Sequence, residues 1–205
     1  MAFSMKILLT GGAGYIGSFM TRLLLDREYD VIVIDNLKRG HEEAVDKRAK
    51  FVKIDIEDKP LLDKFFKENK VDALMHFAGL ISVEESNKNP EIYYRSNVVG
   101  SQNLFESAVG IGNVKKIIFS STAAVYGNSI KVPIQEDHPK SPTSVYGKTK
   151  LEVEKNLDKL RQKDSEISFV ALRYFNASGG ALDGSLGEMH DPETHIIPLA
   201  IKAII

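Results

Sequence analysis

The chain of 205 residues contains no cysteine, no excess of charge of either sign and no long apolar run. The absence of cysteine excludes disulfide bonds, thiolate catalysis and cysteine metal ligands. Its 27 basic and 28 acidic residues give a formal net charge of −1, which predicts no nucleic-acid-binding surface. No segment approaches the length of a membrane span and no secretory signal precedes the first strand. We therefore expect a cytoplasmic protein without membrane contacts.

The first forty residues contain a glycine turn between two short apolar runs. Gly11 permits a tight turn, Gly14 lets the backbone approach a pyrophosphate, and Gly17 lets the following helix pack closely. The start of that helix offers free N–H groups and a partial positive charge to phosphates. Asp35 ends the second run, Val31–Ile34, where its carboxylate can bind a ribose diol and would repel a 2′-phosphate. This pattern predicts a site for NAD rather than NADP.

Strand and helix patterns alternate along the chain after this first unit. Helical patterns between apolar strands predict right-handed crossovers and a parallel sheet covered on both faces, that is, a Rossmann-like doubly wound α/β fold. The content of apolar residues, 43%, is typical of a globular chain with one domain or slightly more. We predict strands at 50–54, 71–77, 116–120 and 167–172, and helices at 59–69, 91–110 and 145–161.

A second motif predicts a catalytic base. Tyr146 and Lys150 are four residues apart in the helix predicted at 145–161, so they share one face of that helix. A lysine ammonium near a phenol lowers the pKa of the phenol and so makes it a usable base near neutral pH. The pair therefore predicts a catalytic Tyr146.

These motifs make the family recognisable. The chain resembles the extended short-chain dehydrogenase/reductase superfamily and, within it, the UDP-glucose (UDP-galactose) 4-epimerases, over essentially its whole length. The resemblance rests on Thr10–Gly17, Asp35–Leu37, Asp55-Ile56, His76–Gly79, Asn97-Val98, Ser120–Gly127, Tyr146–Lys150, Arg173–Asn176 and His190–His195.

The resemblance implies a role for each motif. The catalytic residues are Thr122, Tyr146 and Lys150. NAD is expected to contact Gly11, Gly14, Tyr15, Ile16, Gly17, Asp35, Asn36, Leu37, Asp55, Ile56, Phe77, Ala78, Gly79, Leu80, Asn97, Tyr146, Lys150 and Phe175. The UDP-sugar is expected to contact Thr122, Tyr146, Asn176, His195 and Ile196, the last two through their backbone.

The implied reaction inverts carbon 4 of the sugar through a transient 4-keto sugar, with Tyr146 taking the proton of the 4-hydroxyl. Related dehydratases carry an acid directly after the hydroxyl residue, and Ala123 and Ala124 cannot supply one. Two alternatives stay open: a 4-epimerase for another UDP sugar (pentose, uronic acid or N-acetylhexosamine), and a non-catalytic NAD-binding module. The resemblance also implies a homodimer through helices near 91–110 and 145–161.

Three expectations concern departures and local clusters. Glu84 replaces a glycine that the family often has beside the sugar pocket, and it either points outward or alters specificity. His190 and His195, near Asp191 and Glu193, fit no common ligand spacing, so we expect no metal site. His76 is expected to be a hydrogen-bonded structural histidine.

The chain ends within an apolar periodic segment. We therefore expect an NAD-binding Rossmann domain at 1–175 and the start of a substrate-binding region at 176–205, with most of the smaller C-terminal substrate domain absent. Such a chain is expected to bind NAD and to epimerise poorly.

Overall fold

The computed structural model describes residues 5–204 as a six-stranded parallel sheet with helices on both faces. The strands are β1 (Lys6–Thr10), β2 (Asp30–Asp35), β3 (Lys50–Lys53), β4 (Ala73–His76), β5 (Lys116–Thr122) and β6 (Ser168–Tyr174). The helices are α1 (Tyr15–Asp26), α2 (Lys59–Glu68), α3 (Val83–Lys88), α4 (Pro90–Tyr93), α5 (Gly100–Gly110), α6 (Val145–Lys163) and α7 (Ile196–Ile204).

The strand order is β3-β2-β1-β4-β5-β6, and every neighbouring pair is parallel. The direction of winding reverses between β1 and β4, and ligands of open α/β sheets bind outside the carboxyl ends of the strands at such a point. The predicted Rossmann-like doubly wound sheet is therefore confirmed. The residues that follow β1, β2, β4 and β5 are brought to one edge of the sheet.

Successive side chains of β1 pack on opposite faces of the sheet. Leu8 belongs to a buried cluster with residues of α2, α5 and α6, whereas Ile7 and Leu9 pack with Leu24 of α1 on the other face. Leu8 and Leu9 are completely buried. Burial on both faces explains why the strand reads as a continuous apolar run instead of an alternating one.

Two helical features differ from the sequence prediction. Helix α3 was not predicted, because its six polar-rich residues are too short to establish a helical period. The helix predicted at 91–110 is α4 and α5 joined by a π-helical stretch, Tyr94–Val99. Such wide turns occur frequently at functional sites, and this one contains Asn97. Among residues 5–204, no helix combines the length and apolar character needed to cross a bilayer.

Candidate active site

The glycine turn after β1 combines tightly packed glycines with one open position, Gly14. Gly11 has φ +76°, and a Cβ there would lie 2.5 Å from the backbone nitrogen of Ala78. A Cβ on Gly17 would lie 2.1 Å from the Gly11 carbonyl oxygen, whereas a Cβ on Gly14 would meet nothing closer than 3.4 Å. Gly11 and Gly17 are therefore required by the protein itself, while the space at Gly14 is open to a ligand.

Helix α1 begins directly at this turn. Its N-cap residue is Gly14, and no described side chain caps this end. The first-turn N–H groups of the helix are thus available to an anion, to which the helix dipole also contributes. This arrangement fits the pyrophosphate predicted from the sequence.

Acidic and amide side chains lie beside the turn, at the ends of β2 and β3. The buried carboxylate of Asp35 accepts hydrogen bonds from the backbone N–H of Ala13 (3.1 Å) and from that of Leu37 (2.9 Å). Asn36 donates to Asp55 at 3.1 Å, and the Lys38 ammonium lies 2.8 Å from the same carboxylate. The structure thus brings together Asp35, Asn36 and Asp55, as the sequence predicted for the adenosine end of the site.

Two exposed basic residues in this region form ion pairs with acidic side chains. Lys38 pairs with Asp55, and Arg39 binds Glu85 of α3 at 2.7 Å. Burial raises the pKa of Asp55, but the hydrogen bonds from Lys38, the Glu57 backbone and Asn36 outweigh burial and hold it below its ordinary value. Asp55 is therefore an ionised acceptor at neutral pH.

Asn97 organises the loop after β4. Its side chain accepts from the Leu80 N–H (2.8 Å) and donates to the Leu80 carbonyl (2.9 Å) and to the Thr149 hydroxyl (3.2 Å). A Cβ on Gly79 would lie 3.1 Å from the Asn97 oxygen and 3.5 Å from the Lys150 nitrogen. The predicted cofactor segment 77–80 is consequently adjacent to the predicted catalytic lysine.

Tyr146 and Lys150 occupy the first turns of α6, facing Thr122 at the end of β5. The Lys150 ammonium is buried, donates to the Ser120 carbonyl at 3.0 Å, and lies 5.9 Å from the centre of the Tyr146 ring. The Thr122 hydroxyl hydrogen-bonds to Tyr146 and accepts from the Ala124 N–H at 3.1 Å. The three residues assigned to catalysis therefore converge at the carboxyl edge of the sheet.

The direction of one pKa shift differs from the expectation. Burial raises the pKa of Tyr146, and the Thr122 hydrogen bond lowers it by a smaller amount, so the net direction is upward. The net lowering expected for Tyr146 is therefore wrong for the described chain, because burial of the phenol outweighs the opposing interaction. Burial also lowers the pKa of Lys150 to about 8. At pH 7, a lysine with this pKa is protonated in roughly nine tenths of the molecules.

The start of α6 is capped by residues that the sequence analysis did not identify. The Ser144 hydroxyl accepts from the Gly147 N–H (3.0 Å), and the Ser86 hydroxyl of α3 accepts from the Tyr146 N–H (3.0 Å). The Asn87 oxygen accepts from the Val145 N–H at 3.2 Å. These acceptors satisfy three N–H groups that a helix start leaves free. Ser86 and Asn87 lie about sixty positions before their partners, so no local pattern indicates this role.

Glu84 lies on the outward side of α3. It is 80% exposed in its side chain and pairs with Lys88 at 2.6 Å. Of the two alternatives for this position, the structure favours the outward one. Glu84 is therefore a surface residue of the described chain.

His76 is enclosed at the centre of the sheet. Its ring nitrogens hydrogen-bond to Thr10 and Ser101, each at 2.7 Å, and its ring stacks on Phe119. Burial, with a smaller contribution from the charge of Lys150, lowers the pKa of His76 to about 3. A permanently neutral, fully bonded ring fits the predicted structural role.

The predicted contacts in the C-terminal segment are exposed or half-buried in the described chain. Phe175 is 66% exposed and Ile196 is 81% exposed. Asn176 is also exposed, and His195 is half-buried beside Glu193. The roles assigned to these four residues stay predictions.

Comparison with known proteins gives consistent matches. Residues 7–205 match the model of the NAD dependent epimerase/dehydratase family. The chain is similar to the UDP-glucose 4-epimerase of Lactobacillus helveticus, with 48% identity over 201 residues, covering 98% of this chain and 60% of that protein. It is also similar to the UDP-glucose 4-epimerase of Streptococcus mutans, with 44% identity over 200 residues, covering 97% of this chain and 60% of that protein.

Solved structures give the same result. The structure of UDP-glucose 4-epimerase from Brucella ovis in complex with NAD has a TM-score of 0.92 and 42% identity, covering 98% of this chain and 61% of that one. The Bifidobacterium longum UDP-glucose 4-epimerase in complex with NAD+ and UDP has a TM-score of 0.85 and 39% identity, covering 89% and 57%. The chain thus spans about 60% of the length of these relatives.

Proposed function

Because the chain belongs to the NAD dependent epimerase/dehydratase family, we propose that it acts as a UDP-glucose 4-epimerase that interconverts UDP-galactose and UDP-glucose. The observation that carries the proposal is the convergence of Thr122, Tyr146 and Lys150 beside the dinucleotide crevice. The names of its relatives support the choice of sugar nucleotide.

The residues of the crevice fit NAD. The open position at Gly14 and the uncapped start of α1 suit a pyrophosphate, and the Asp35 carboxylate suits a ribose diol. NAD, when bound, supplies a hydride acceptor and donor for carbon 4 of the sugar. We propose that it is held by the motif residues of segments 11–17, 35–37, 55–56 and 77–80, together with Asn97, Tyr146, Lys150 and Phe175.

Side chains of this chain transfer the proton of the sugar 4-hydroxyl. Tyr146 accepts the proton of the sugar 4-hydroxyl, either directly or relayed by the Thr122 hydroxyl, which interacts with the Tyr146 phenol. Since burial holds the phenol neutral, the phenolate needs a nearby cation. Lys150, whose pKa is about 8, is mostly charged at neutral pH and lies 5.9 Å from the ring centre. We assign Lys150 the role of stabilising the Tyr146 phenolate.

A single substitution tests the assignment. In the purified chain, Tyr146→Phe should retain bound NAD and lose at least about a hundredfold in turnover of UDP-galactose to UDP-glucose, the scale of a lost general base. Tyr29→Phe, at a 37% exposed tyrosine between α1 and β2, is the matched control and should change neither quantity.

Two readouts separate the possible outcomes. Turnover is followed by product formation without added cofactor, and slow turnover of the chain itself is expected because the relatives are longer. Other UDP sugars are assayed in parallel, and faster turnover of one of them would identify that sugar nucleotide as the substrate instead. Tyr146→Phe with unchanged turnover would contradict the role of the phenol, and NAD binding without any turnover would favour the non-catalytic module.

Three further expectations belong to this proposal. We propose that residues 1–175 form the NAD-binding domain and that 176–205 begin the substrate-binding region, supported by a sheet that ends at Tyr174. We propose a cytoplasmic location, which the cysteine-free composition allows. A UDP sugar is the proposed partner.

We also propose a homodimer formed through helices near 91–110 and 145–161. Its support is the exposed apolar set Ile92 (48%), Tyr94 (54%) and Val99 (38%) on the first of these helical regions. Light scattering should give twice the chain mass, and Ile92→Glu should reduce it to one chain mass. A monomeric parent protein would contradict this assembly.

A further inference from the structure

Three side chains with metal-binding chemistry meet in the segment between β6 and α7. Glu188, His190 and His195 each offer one ligand atom, and these atoms all lie within 4.8 Å of one another. The spacing of His190 and His195 near Asp191 and Glu193 predicted no metal site, and it gave no sign of Glu188 as a third ligand. The fold of the segment, rather than a regular spacing, supplies the third ligand.

The Glu188 carboxylate lies between the two imidazoles. Its Oε1 contacts His190 Nδ1, and its Oε2 lies 3.8 Å from His195 Nδ1. The centres of the two rings are 5.2 Å apart. A second carboxylate, from Glu193, contacts His195 Nδ1 at 2.8 Å. Such a carboxylate on a ring nitrogen fixes the orientation of metal-binding histidines.

The charge of this cluster favours a cation. The side chains of Glu188 and Glu193 are only 11% and 5% exposed. Within residues 5–204, no lysine or arginine nitrogen lies within 4 Å of either carboxylate, whereas the comparably buried Glu154 is paired with Arg173. Buried carboxylates are normally paired or bound to a metal.

We propose that Glu188, His190 and His195 bind one Zn²⁺ ion, with Glu193 orienting His195. Two imidazoles and one carboxylate form a ligand set that zinc commonly uses, with a fourth position left to water. Imidazole ligands disfavour Mg²⁺ and Ca²⁺, which prefer oxygen. Zinc bonds of about 2.0–2.1 Å place tetrahedral ligand atoms roughly 3.4 Å apart. The three ligand atoms, which lie within 4.8 Å of one another, would reach this spacing by rotation of the side chains.

The site lies outside the Thr122, Tyr146 and Lys150 set, and the inference does not depend on the proposed epimerase activity. The nucleotide-sugar contacts predicted for His195 and Ile196 involve backbone atoms. The His195 imidazole is therefore free to act as a metal ligand. A bound ion would join the two ends of segment 188–195.

The test is metal binding by the untagged, chelator-stripped chain. Titration with Zn²⁺ against a chromophoric chelator at pH 7.5 should give one tight site per chain, and the same concentration of Mg²⁺ should not compete. His190→Ala and His195→Ala should each weaken binding at least about tenfold, since even the outer partners of metal ligands have effects of that size. Glu188→Gln should do the same.

Glu84→Gln is the matched control, because Glu84 is exposed and pairs only with Lys88 among its described salt-bridge partners. It should leave the Zn²⁺ affinity unchanged. X-ray absorption of the zinc-loaded parent protein, which needs no variant, should show two imidazole ligands. The proposal is overturned if no stoichiometric zinc is bound, if binding survives His190→Ala/His195→Ala, or if the spectrum lacks imidazole scattering.

Discussion

A buried ion pair beside the candidate active site gives a sharp test of how a buried charge contributes to stability. Glu154 of α6 is 5% exposed in its side chain and accepts two hydrogen bonds from the Arg173 guanidinium of β6, both at 2.9 Å. Ser121, the neighbour of Thr122, donates to the same carboxylate at 2.6 Å. These bonds therefore join α6 to the two strands beside it, β5 and β6. We predict the effect of Arg173→Met.

The expected magnitude follows from the burial of the charge left behind. Removing one partner of a buried pair typically destabilises a protein by about 3–5 kcal/mol, because the other charge stays uncompensated. Lys140 lies 3.5 Å from Glu154 and can compensate in part, so the lower end, about 3 kcal/mol, is expected. For a chain of this length, that loss lowers Tm by roughly 6–12 °C.

The pH dependence has a defined sign. Burial raises the pKa of Glu154, but the bonds from Arg173 and Ser121 outweigh it and hold the pKa below its ordinary value. A lowered carboxyl pKa stabilises the folded parent protein above the ordinary pKa, and this stability is lost as the pH falls through the folded-state value. In Arg173→Met the bonds from Arg173 are gone and only Ser121 and Lys140 still oppose burial, so the stability deficit should shrink as acid neutralises Glu154.

Thermal unfolding followed by circular dichroism measures the effect in a double-mutant cycle. The double variant Glu154→Gln/Arg173→Met removes both charges and should regain at least half of the stability lost in Arg173→Met. Arg161→Met, at a 56% exposed arginine of the same helix, is the control and should change stability by less than about 0.5 kcal/mol. A loss below about 1 kcal/mol in Arg173→Met, or no recovery in the double variant, would refute this reasoning.

Two further predictions concern the cofactor turn and the central histidine. Gly14→Ala should keep the Tm of the parent protein and weaken NAD binding at least about tenfold. Gly17→Ala should lower both the Tm and the NAD affinity, because its Cβ would lie 2.1 Å from the Gly11 carbonyl oxygen. Equilibrium binding and thermal melts of both variants check this, and an equal loss of Tm in the two variants would contradict it. Since the pKa of His76 is about 3 when folded, the unfolded chain binds an extra proton below about pH 6.5, and stability should fall by about 1.4 kcal/mol per pH unit between roughly pH 6 and 4. Denaturation across this range should show a smaller slope in His76→Gln, and identical slopes would show that His76 is not the responsible group.

The sequence was sufficient where local chemistry and periodicity agree. The glycine turn, the position of Asp35 after an apolar strand, and the alternation of strands and helices predicted the parallel sheet and its crevice, and the structure confirms both. The spacing of Tyr146 and Lys150 correctly placed both side chains near one another on α6. These features depend on residues that are close in the chain or on backbone geometry that only glycine permits.

The direction of the Tyr146 pKa shift could not be obtained in the same way. The spacing fixed the shared helix face, but burial of the ring and the turn of Lys150 toward Ser120 depend on packing between α6 and β5. The capping of α6 by Ser86 and Asn87 likewise joins positions far apart in the chain.

The sequence by itself determined the order of the elements, the glycine turn and the side chains that we propose for catalysis, because a short stretch of residues specifies each of them. The tertiary structure alone decided which charges are buried, which partners satisfy them, and that Glu188 joins His190 and His195. Desolvation and long-range pairing depend on the three-dimensional surroundings of a group, and no spacing along the chain encodes them.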